Sequence, residues 1–204
     1  MEHGILHWYE PGELDEAQRR TYDAITGGPR ASTARAAPVT DELGRLQGPF
    51  NAMLVSPKVG LALQAVGAAL RFESGLAGRV RELATLLVAA EARCDYEWLM
   101  HEGLARSAGV SDEELASLRE GGVPPTLSDD ERLARQVVLE LARQHRLGDD
   151  LLERAHHVFG ERGIVELVDL VGYYQLLAMG LQVFRTPLPD GASPPFGEEL
   201  PARG

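Results

Sequence analysis

The sequence predicts an all-α fold with about eight helices, and three observations support this prediction. Apolar residues recur at intervals of three and four along most of the chain, which is the spacing of one helix face. Strict alternation of apolar and polar residues, which is typical of strands, is almost absent. Several apolar segments begin after a capping residue or end at glycine or proline, as helices do. We therefore expect a helical bundle.

The predicted helices follow one another along the chain from residue 13 to residue 184. Two of them begin with a serine followed three residues later by a glutamate, the spacing of a capping box: Ser111 with Glu114 and Ser128 with Glu131. A proline in the first turn favours a helix that starts at Pro57. The expected helices are at about 13–25, 50–55, 57–72, 79–92 and 95–108, a short one from Ser111, and then 128–146, 149–159 and 164–184.

Three regions are expected along the chain, whose length suits a single compact core. Residues 1–45 should form an N-terminal helix and arm, with a poorly ordered loop at 27–40. Residues 46–184 should form the main domain. Residues 185–204 are rich in proline and glycine and are expected to be an extended or frayed tail.

Composition and charge exclude several classes of function. The chain has 20 Lys and Arg against 31 Asp and Glu, and its net charge of −11 disfavours binding to nucleic acid or to an anionic membrane surface. The single cysteine, Cys94, rules out an intrachain disulfide and a zinc site with several thiolates. Charged residues interrupt the longest apolar stretches, and no secretory signal is visible at the N-terminus. We expect a cytoplasmic protein with buried helices.

Four polar residues on the predicted apolar helices are the candidate catalytic residues: Glu82, Cys94, Glu97 and His101. Cys94, Glu97 and His101 are spaced to share one helix face, and Glu97 can contact His101 one turn later. Cys94 and His101 lie about 10 Å apart along the helix axis, too far for a hydrogen bond. Cys94 falls in the first helical turn, where the dipole lowers a thiol pKa. The alternative interpretations are a small buried cysteine and a surface Glu–His pair.

These residues lie in a block that resembles the carboxymuconolactone decarboxylase family, which includes the AhpD-type alkylhydroperoxidases. The resemblance covers residues 50–120 well and the helices up to about 184 loosely. The matching positions are residues 81–84 (Arg-Glu-Leu-Ala), Cys94, residues 96–98 (Tyr-Glu-Trp), His101, Ala105 and residues 108–111 (Ala-Gly-Val-Ser). The resemblance implies an AhpD-like helical bundle that forms a homo-oligomer, commonly a trimer or a hexamer.

The sequence departs from the family pattern at one position, and this departure decides between two possible mechanisms. AhpD-type peroxidases use a glutamate, a Cys-x-x-Cys pair and a histidine four residues after the second cysteine. Glu82, Cys94 and His101 match the glutamate, the first cysteine and the histidine, but Glu97 stands at the position of the second cysteine. A peroxidase that closes a disulfide within this chain is therefore disfavoured.

The decarboxylase side of the family, which lacks the redox pair, implies acid–base chemistry without a cofactor or a metal. We expect decarboxylation or isomerisation of a small carboxylated or lactone substrate. His101 would donate or accept the proton, Glu97 would be its partner and a possible direct base, and Glu82 would orient the pair.

Two alternatives stay open: a peroxidase or antioxidant enzyme that uses Cys94 as a single redox cysteine, and a non-catalytic helical protein that binds a ligand. Other residues near the candidates have no assigned role. Aromatic residues could line a pocket or simply pack in the core. The unassigned residues are Arg71, Phe72, Arg79, Arg81, Tyr96, Trp98, Tyr173 and Tyr174.

Overall fold

The computed structural model describes residues 2–28 and 38–197. Eight α-helices account for most of these residues, which confirms the predicted fold class. The helices are α1 (Glu16–Thr26), α2 (Pro49–Val55), α3 (Pro57–Phe72), α4 (Gly78–Glu91), α5 (Asp95–Ser107), α6 (Asp112–Arg119), α7 (Asp129–Gln144) and α8 (Asp149–Val183).

Helix α4 is at the centre of the bundle. It packs against α5, α7 and α8, so residues on several of its sides are buried. Leu83, Leu86 and Leu87 belong to the main hydrophobic core. Because the helix is surrounded, its one buried carboxylate, Glu82, also lies inside the protein.

Both predicted capping boxes are present. The backbone N–H of Glu114 donates to Ser111 Oγ at 3.2 Å, and the N–H of Ser111 donates to Glu114 Oε2 at 2.8 Å. Ser128 and Glu131 form the same pair of hydrogen bonds at the start of α7. Arg79 of α4 donates to both glutamates, to Glu114 Oε1 at 2.7 Å and to Glu131 Oε1 at 2.6 Å. The starts of α6 and α7 are thus tied to the central helix.

Helix α8 contains a break at Gly160, whose φ of 67° and ψ of 176° are not helical. It therefore consists of two helical segments, in agreement with the two predicted helices at 149–159 and 164–184. By length and composition α8 is apolar enough to cross a membrane, a test that core helices of soluble proteins also pass. Here it packs against α7, α4 and α3.

The N-terminal arm differs from the all-helical prediction. Two short antiparallel strands, β1 (Glu2–His3) and β2 (Leu6–His7), form a hairpin. Gly4 has a φ of +70°, which suits glycine in a tight turn. The backbone N–H of Ile5 donates to the Phe184 carbonyl at 3.0 Å, so the hairpin lies against the end of α8. The sequence pattern missed this hairpin because each strand has only two residues.

The first helix begins at Glu16 rather than at the predicted residue 13. Asp15 caps it by accepting a hydrogen bond from the N–H of Gln18 at 2.8 Å, and Pro11–Glu13 form a separate 3₁₀ turn. The loop predicted to be poorly ordered, 27–40, lies largely outside the described residues, since 29–37 are not described.

The described part of the C-terminal tail has no regular secondary structure, but Phe196, near its end, is held against the start of α5. The backbone N–H of Phe196 donates to Asp95 Oδ1 at 2.8 Å, and the Phe196 carbonyl accepts from Arg93 at 2.5 Å. The Phe196 ring contacts the Trp98 ring edge-on, with 5.4 Å between the ring centroids. Residues 186–197 thus pack on the start of α5.

Candidate active site

A cavity of about 50 Å³ lies between α2, α3, α5 and α8. It brings together two of the predicted site residues, Glu97 and His101, with aromatic and charged side chains from other helices. The polar residues that line it are Gln47, Arg71, Tyr96, Glu97, His101, Tyr173 and Tyr174.

His101 is paired with Glu82 rather than with Glu97. Nδ1 of His101 lies 2.9 Å from Oε2 of Glu82, and both side chains are buried, with residue exposures of 8% and 5%. The prediction that Glu97 is the partner of His101 is therefore wrong. The physical reason is that α4 packs directly on α5, so a carboxylate on the facing helix reaches the imidazole.

The environment of Glu82 favours its charged form. Burial alone raises the pKa of this carboxyl, but the hydrogen bond and the electrostatic interaction with His101, together with the positive charges of Arg71 and Arg81, outweigh that effect and hold the pKa below its usual value. Arg81 Nε lies 3.5 Å from Glu82 Oε1. Glu82 is therefore a carboxylate that accepts the hydrogen bond from Nδ1–H of His101.

Glu97 has the opposite environment on the same cavity. The residue is 3% exposed, and its Oε2 has no hydrogen-bond partner among the described residues. Burial raises the pKa of Glu97 well above its usual value. Burial therefore favours the neutral carboxylic acid form of Glu97, which can donate a proton or a hydrogen bond to a molecule in the cavity.

The part of the chain that contains the four candidate residues matches the model of a known protein family. Residues 57–140 match the model of the carboxymuconolactone decarboxylase family, and this segment contains Glu82, Cys94, Glu97 and His101. The segment belongs to the carboxymuconolactone decarboxylase family. The resemblance noted in the sequence is thereby confirmed.

Solved structures show that the chain as a whole has an AhpD-like fold. An uncharacterised peroxidase-related protein from Ralstonia eutropha JMP134 with an alkylhydroperoxidase AhpD core has a TM-score of 0.72 and 14% identity, over 93% of this chain and 94% of that chain. A protein of unknown function from Agrobacterium tumefaciens, whose name relates it to the antioxidant defence protein AhpD, has a TM-score of 0.62 and 21% identity, over 70% of this chain and 99% of that chain.

The debrominase Bmp8 has a TM-score of 0.67 and 10% identity, over 90% of this chain and 91% of that chain. A cysteine-to-alanine variant of that debrominase has been solved in complex with 2,3,4-tribromopyrrole. No curated protein matches the sequence.

Cys94, which the sequence resemblance matched to the first cysteine of AhpD-type peroxidases, does not line the cavity. It directly precedes α5, is 2% exposed, and packs in a small apolar cluster with Tyr96, Ala178 and Leu181. Burial, together with the nearby charge of Glu97, raises the pKa of the thiol to about 12. The prediction that the helix dipole lowers this pKa is therefore wrong, because desolvation outweighs the dipole.

Arg71 and Tyr174 are site residues to which the sequence interpretation assigned no role. Arg71 lies four residues after Gly67, and both residues line the cavity. The Tyr174 ring meets the His101 ring edge-on, with 5.0 Å between centroids. Burial raises the pKa of the Tyr174 phenol, which therefore stays neutral and can donate a hydrogen bond. No local sequence signal distinguishes Arg71 from the other arginines, because its place at the cavity depends on how the helices pack.

Two other residues to which the sequence assigned no role, Trp98 and Arg79, contribute to the packing of the fold and do not line the cavity. Trp98 is fully buried in the core, and Arg79 holds Glu114 and Glu131. Among residues 2–28 and 38–197, no group of three or more His, Cys, Asp or Glu side chains is arranged to hold a metal ion.

Proposed function

We propose that this protein is a cofactor-independent enzyme that uses acid–base chemistry to decarboxylate or isomerise a small carboxylated or lactone substrate. The observation that carries the proposal is that Glu97 and His101 line one cavity in opposite roles. Glu97 is a protonated acid with an unpartnered oxygen, and His101 is oriented by a carboxylate. When the environments of two titratable groups shift their pKa values apart, one group can act as the acid and the other as the base.

The hydrogen bond to Glu82 indicates which ring nitrogen of His101 carries the hydrogen. Because Glu82 is ionised, it accepts from Nδ1–H, and Nε2 is then the basic nitrogen of the neutral ring. In an isomerisation, Nε2 takes a proton from a substrate carbon while Glu97 donates a proton to the oxygen that gains charge, and a second transfer returns a proton to a different carbon.

In a decarboxylation, the C–C bond to the carboxylate breaks, carbon dioxide leaves, and the electron pair is held as an enol that Glu97 has protonated. A proton from water, delivered through Nε2 of His101, is then transferred to the carbon while the enol O–H returns its proton to Glu97, so the reaction consumes one proton from solvent. The positive charge of Arg71, which lines the same cavity, stabilises a substrate carboxylate.

The proposal is tested with carboxymuconolactone and other carboxylated lactones, by measuring carbon dioxide release and hydrogen exchange into substrate carbons in deuterated water. We expect His101→Asn and Glu97→Gln each to lower the rate by about 100-fold or more. Glu102→Gln is the matched control, since Glu102 is on α5 and does not line the cavity. Rates in the two site variants that equal the wild-type rate would contradict the proposal.

The second candidate is a peroxidase or antioxidant enzyme with Cys94 as its single redox cysteine. The names of the AhpD-like structural neighbours favour it, and the burial and raised pKa of Cys94 oppose it. Cumene hydroperoxide with dithiothreitol as the reductant separates the two candidates. The acid–base proposal expects Cys94→Ser to leave both its lactone activity and any peroxide turnover unchanged, whereas a one-cysteine peroxidase would lose all peroxide turnover.

We further propose that the protein is a cytoplasmic homo-oligomer, a trimer or a hexamer, that binds neither nucleic acid nor membranes. The support is the net charge of −11 and a set of exposed apolar side chains on α3 and α8. These side chains are Val59, Val66, Val165, Val168, Leu176, Met179 and Val183. Light scattering during size-exclusion chromatography measures the mass, and a monomer at micromolar concentration would contradict the proposal.

A further inference from the structure

A second cavity of about 140 Å³ lies next to the candidate active site. It is formed by α2, α3 and the last turns of α8, and most of its lining is apolar. The residues that define it are Ala52, Met53, Leu63, Leu176 and Phe184. None of its lining residues is charged, whereas the lining of the first cavity includes Arg71, Glu97 and His101.

The two cavities share part of their walls. Pro49, Leu177 and Leu181 line both of them, so a single layer of side chains separates the cavities. Leu177 and Leu181 are four residues apart on α8 and therefore lie one above the other on the same face. Because leucine has several staggered rotamers, rotation of these two side chains is the movement that would connect the cavities.

The sizes of the cavities indicate how a substrate would be divided between them. The polar cavity, at about 50 Å³, can enclose only a small group such as a carboxylate and the atoms next to it. An apolar extension of the substrate would exceed this volume, and the apolar cavity beyond Leu177 and Leu181 offers it a surface that is partly shielded from water.

We propose that the substrate is amphiphilic, with its carboxylate end beside Arg71, Glu97 and His101 and a hydrocarbon chain that passes Leu177 and Leu181 into the apolar cavity. This inference rests on the proposed function, and it assigns Leu177 and Leu181 as specificity residues. It restricts the substrate class to carboxylates or lactones that carry an alkyl chain of several carbons.

The test measures binding of butyrate, hexanoate and octanoate by calorimetry, with no turnover involved. Each methylene that is moved out of water should lower the Kd by about fourfold. We therefore expect octanoate to bind at least about tenfold more tightly than butyrate, since at least two further methylenes enter the apolar cavity. Shifts of the His101 ring resonances in NMR spectra report that the carboxylate occupies the polar cavity.

Ala52→Phe is the variant that fills the apolar cavity, and Ala62→Phe is its matched control, since Ala62 is exposed on α3 and does not line the cavity. We expect butyrate and octanoate to bind within about twofold of each other in Ala52→Phe, and the control to keep the wild-type dependence on chain length. Leu181→Ala, which widens the connection, provides a second variant and should extend the dependence to decanoate.

Three outcomes would overturn the inference. One is equal affinity of the wild-type protein for all the acids, and another is the absence of any binding. The third is an unchanged dependence on chain length in Ala52→Phe, which would show that the alkyl chain does not enter the apolar cavity. Because these are binding experiments, their failure is distinct from a failure of the proposed acid–base function, which is detected by the rates of the His101 and Glu97 variants.

Discussion

Nδ1 of His101 lies 2.9 Å from Oε2 of Glu82, and this hydrogen bond joins α5 to α4 inside the core. Its stabilising effect depends on the carboxylate form of Glu82. Because the folded pKa of Glu82 lies below its ordinary value of 4.5, the contribution is present above about pH 4.5 and is lost as the pH falls through the lowered folded pKa.

The first prediction concerns this hydrogen bond. Glu82→Gln should lower the free energy of unfolding by about 1–3 kcal/mol at pH 7, because an amide replaces the charged acceptor. The difference from the wild-type protein should shrink below pH 4. Urea denaturation at both pH values measures it, with Glu102→Gln as a control that changes stability by about 0.5 kcal/mol or less. Equal stability of Glu82→Gln and wild type at pH 7 would refute the prediction.

The second prediction concerns the neutral acid Glu97. Since the folded pKa of Glu97 is raised, its contribution to stability is full below the unfolded value of 4.5 and declines as the pH rises toward the folded pKa. Glu97→Gln should remove this decline and make the protein more stable relative to the wild type at pH 8 than at pH 5. Thermal unfolding at a series of pH values tests this, and parallel profiles for the two proteins would contradict it.

The third prediction concerns the thiol of Cys94. A buried thiol with a pKa of about 12 is almost entirely protonated at pH 8, and the thiolate is the reactive form. The native protein should react with a disulfide reagent at least about 100-fold more slowly than the protein unfolded in guanidinium chloride, whose thiol has a pKa near its ordinary value. Rapid labelling of the native protein would show that Cys94 is accessible and activated.

The fourth prediction concerns Arg79, which binds Glu114 and Glu131 at the starts of α6 and α7. Arg79→Met should lower the free energy of unfolding by about 2–4 kcal/mol, because it leaves two partly buried carboxylates without their cation. Arg20→Met, which removes an exposed pair with Glu16, is the matched control and should cost about 0.5 kcal/mol or less. Chemical denaturation of both variants provides the comparison.

The fifth prediction concerns the contact of Phe196 with Trp98. Phe196→Ala should release the tail from the start of α5 and expose Trp98 to water, which shifts its fluorescence emission to longer wavelengths. A Trp8→Phe background leaves Trp98 as the only tryptophan. Limited proteolysis should cut the tail of the variant before that of the parent, and an unchanged spectrum and digestion pattern would count against the contact.

The sequence predicted the helices well because their signals are local. The capping boxes at Ser111 and Ser128 and the break near Gly160 depend on residues within a few positions of each other. The hairpin at residues 2–7 and the folded tail were missed for the opposite reason. Phe196 and its partner Asp95 are separated by 101 positions, and no periodicity along the chain records such a contact.

Of the four residues predicted for the candidate site, Glu97 and His101 line the cavity, whereas Glu82 lies behind His101 and Cys94 packs in an apolar cluster. Helical spacing describes which residues share a face of α5, and it correctly grouped Glu97 with His101 on one cavity. It does not describe what the facing helix presents, so Glu82 was not identified as the partner of His101. The pKa of Cys94 was misjudged for a similar reason, since Ala178 and Leu181, two of the residues that bury it, come from a distant helix.

The charged residues that line the cavity and several of the residues that shape it come from different parts of the chain. Arg71, Glu97 and His101 come from the family segment 57–140, whereas Phe50, Tyr173 and Leu177 lie outside it. Exchanging only those flanking stretches between homologous proteins should therefore transplant the preference for one molecule over another, while the proposed proton donor and acceptor, Glu97 and His101, keep their positions.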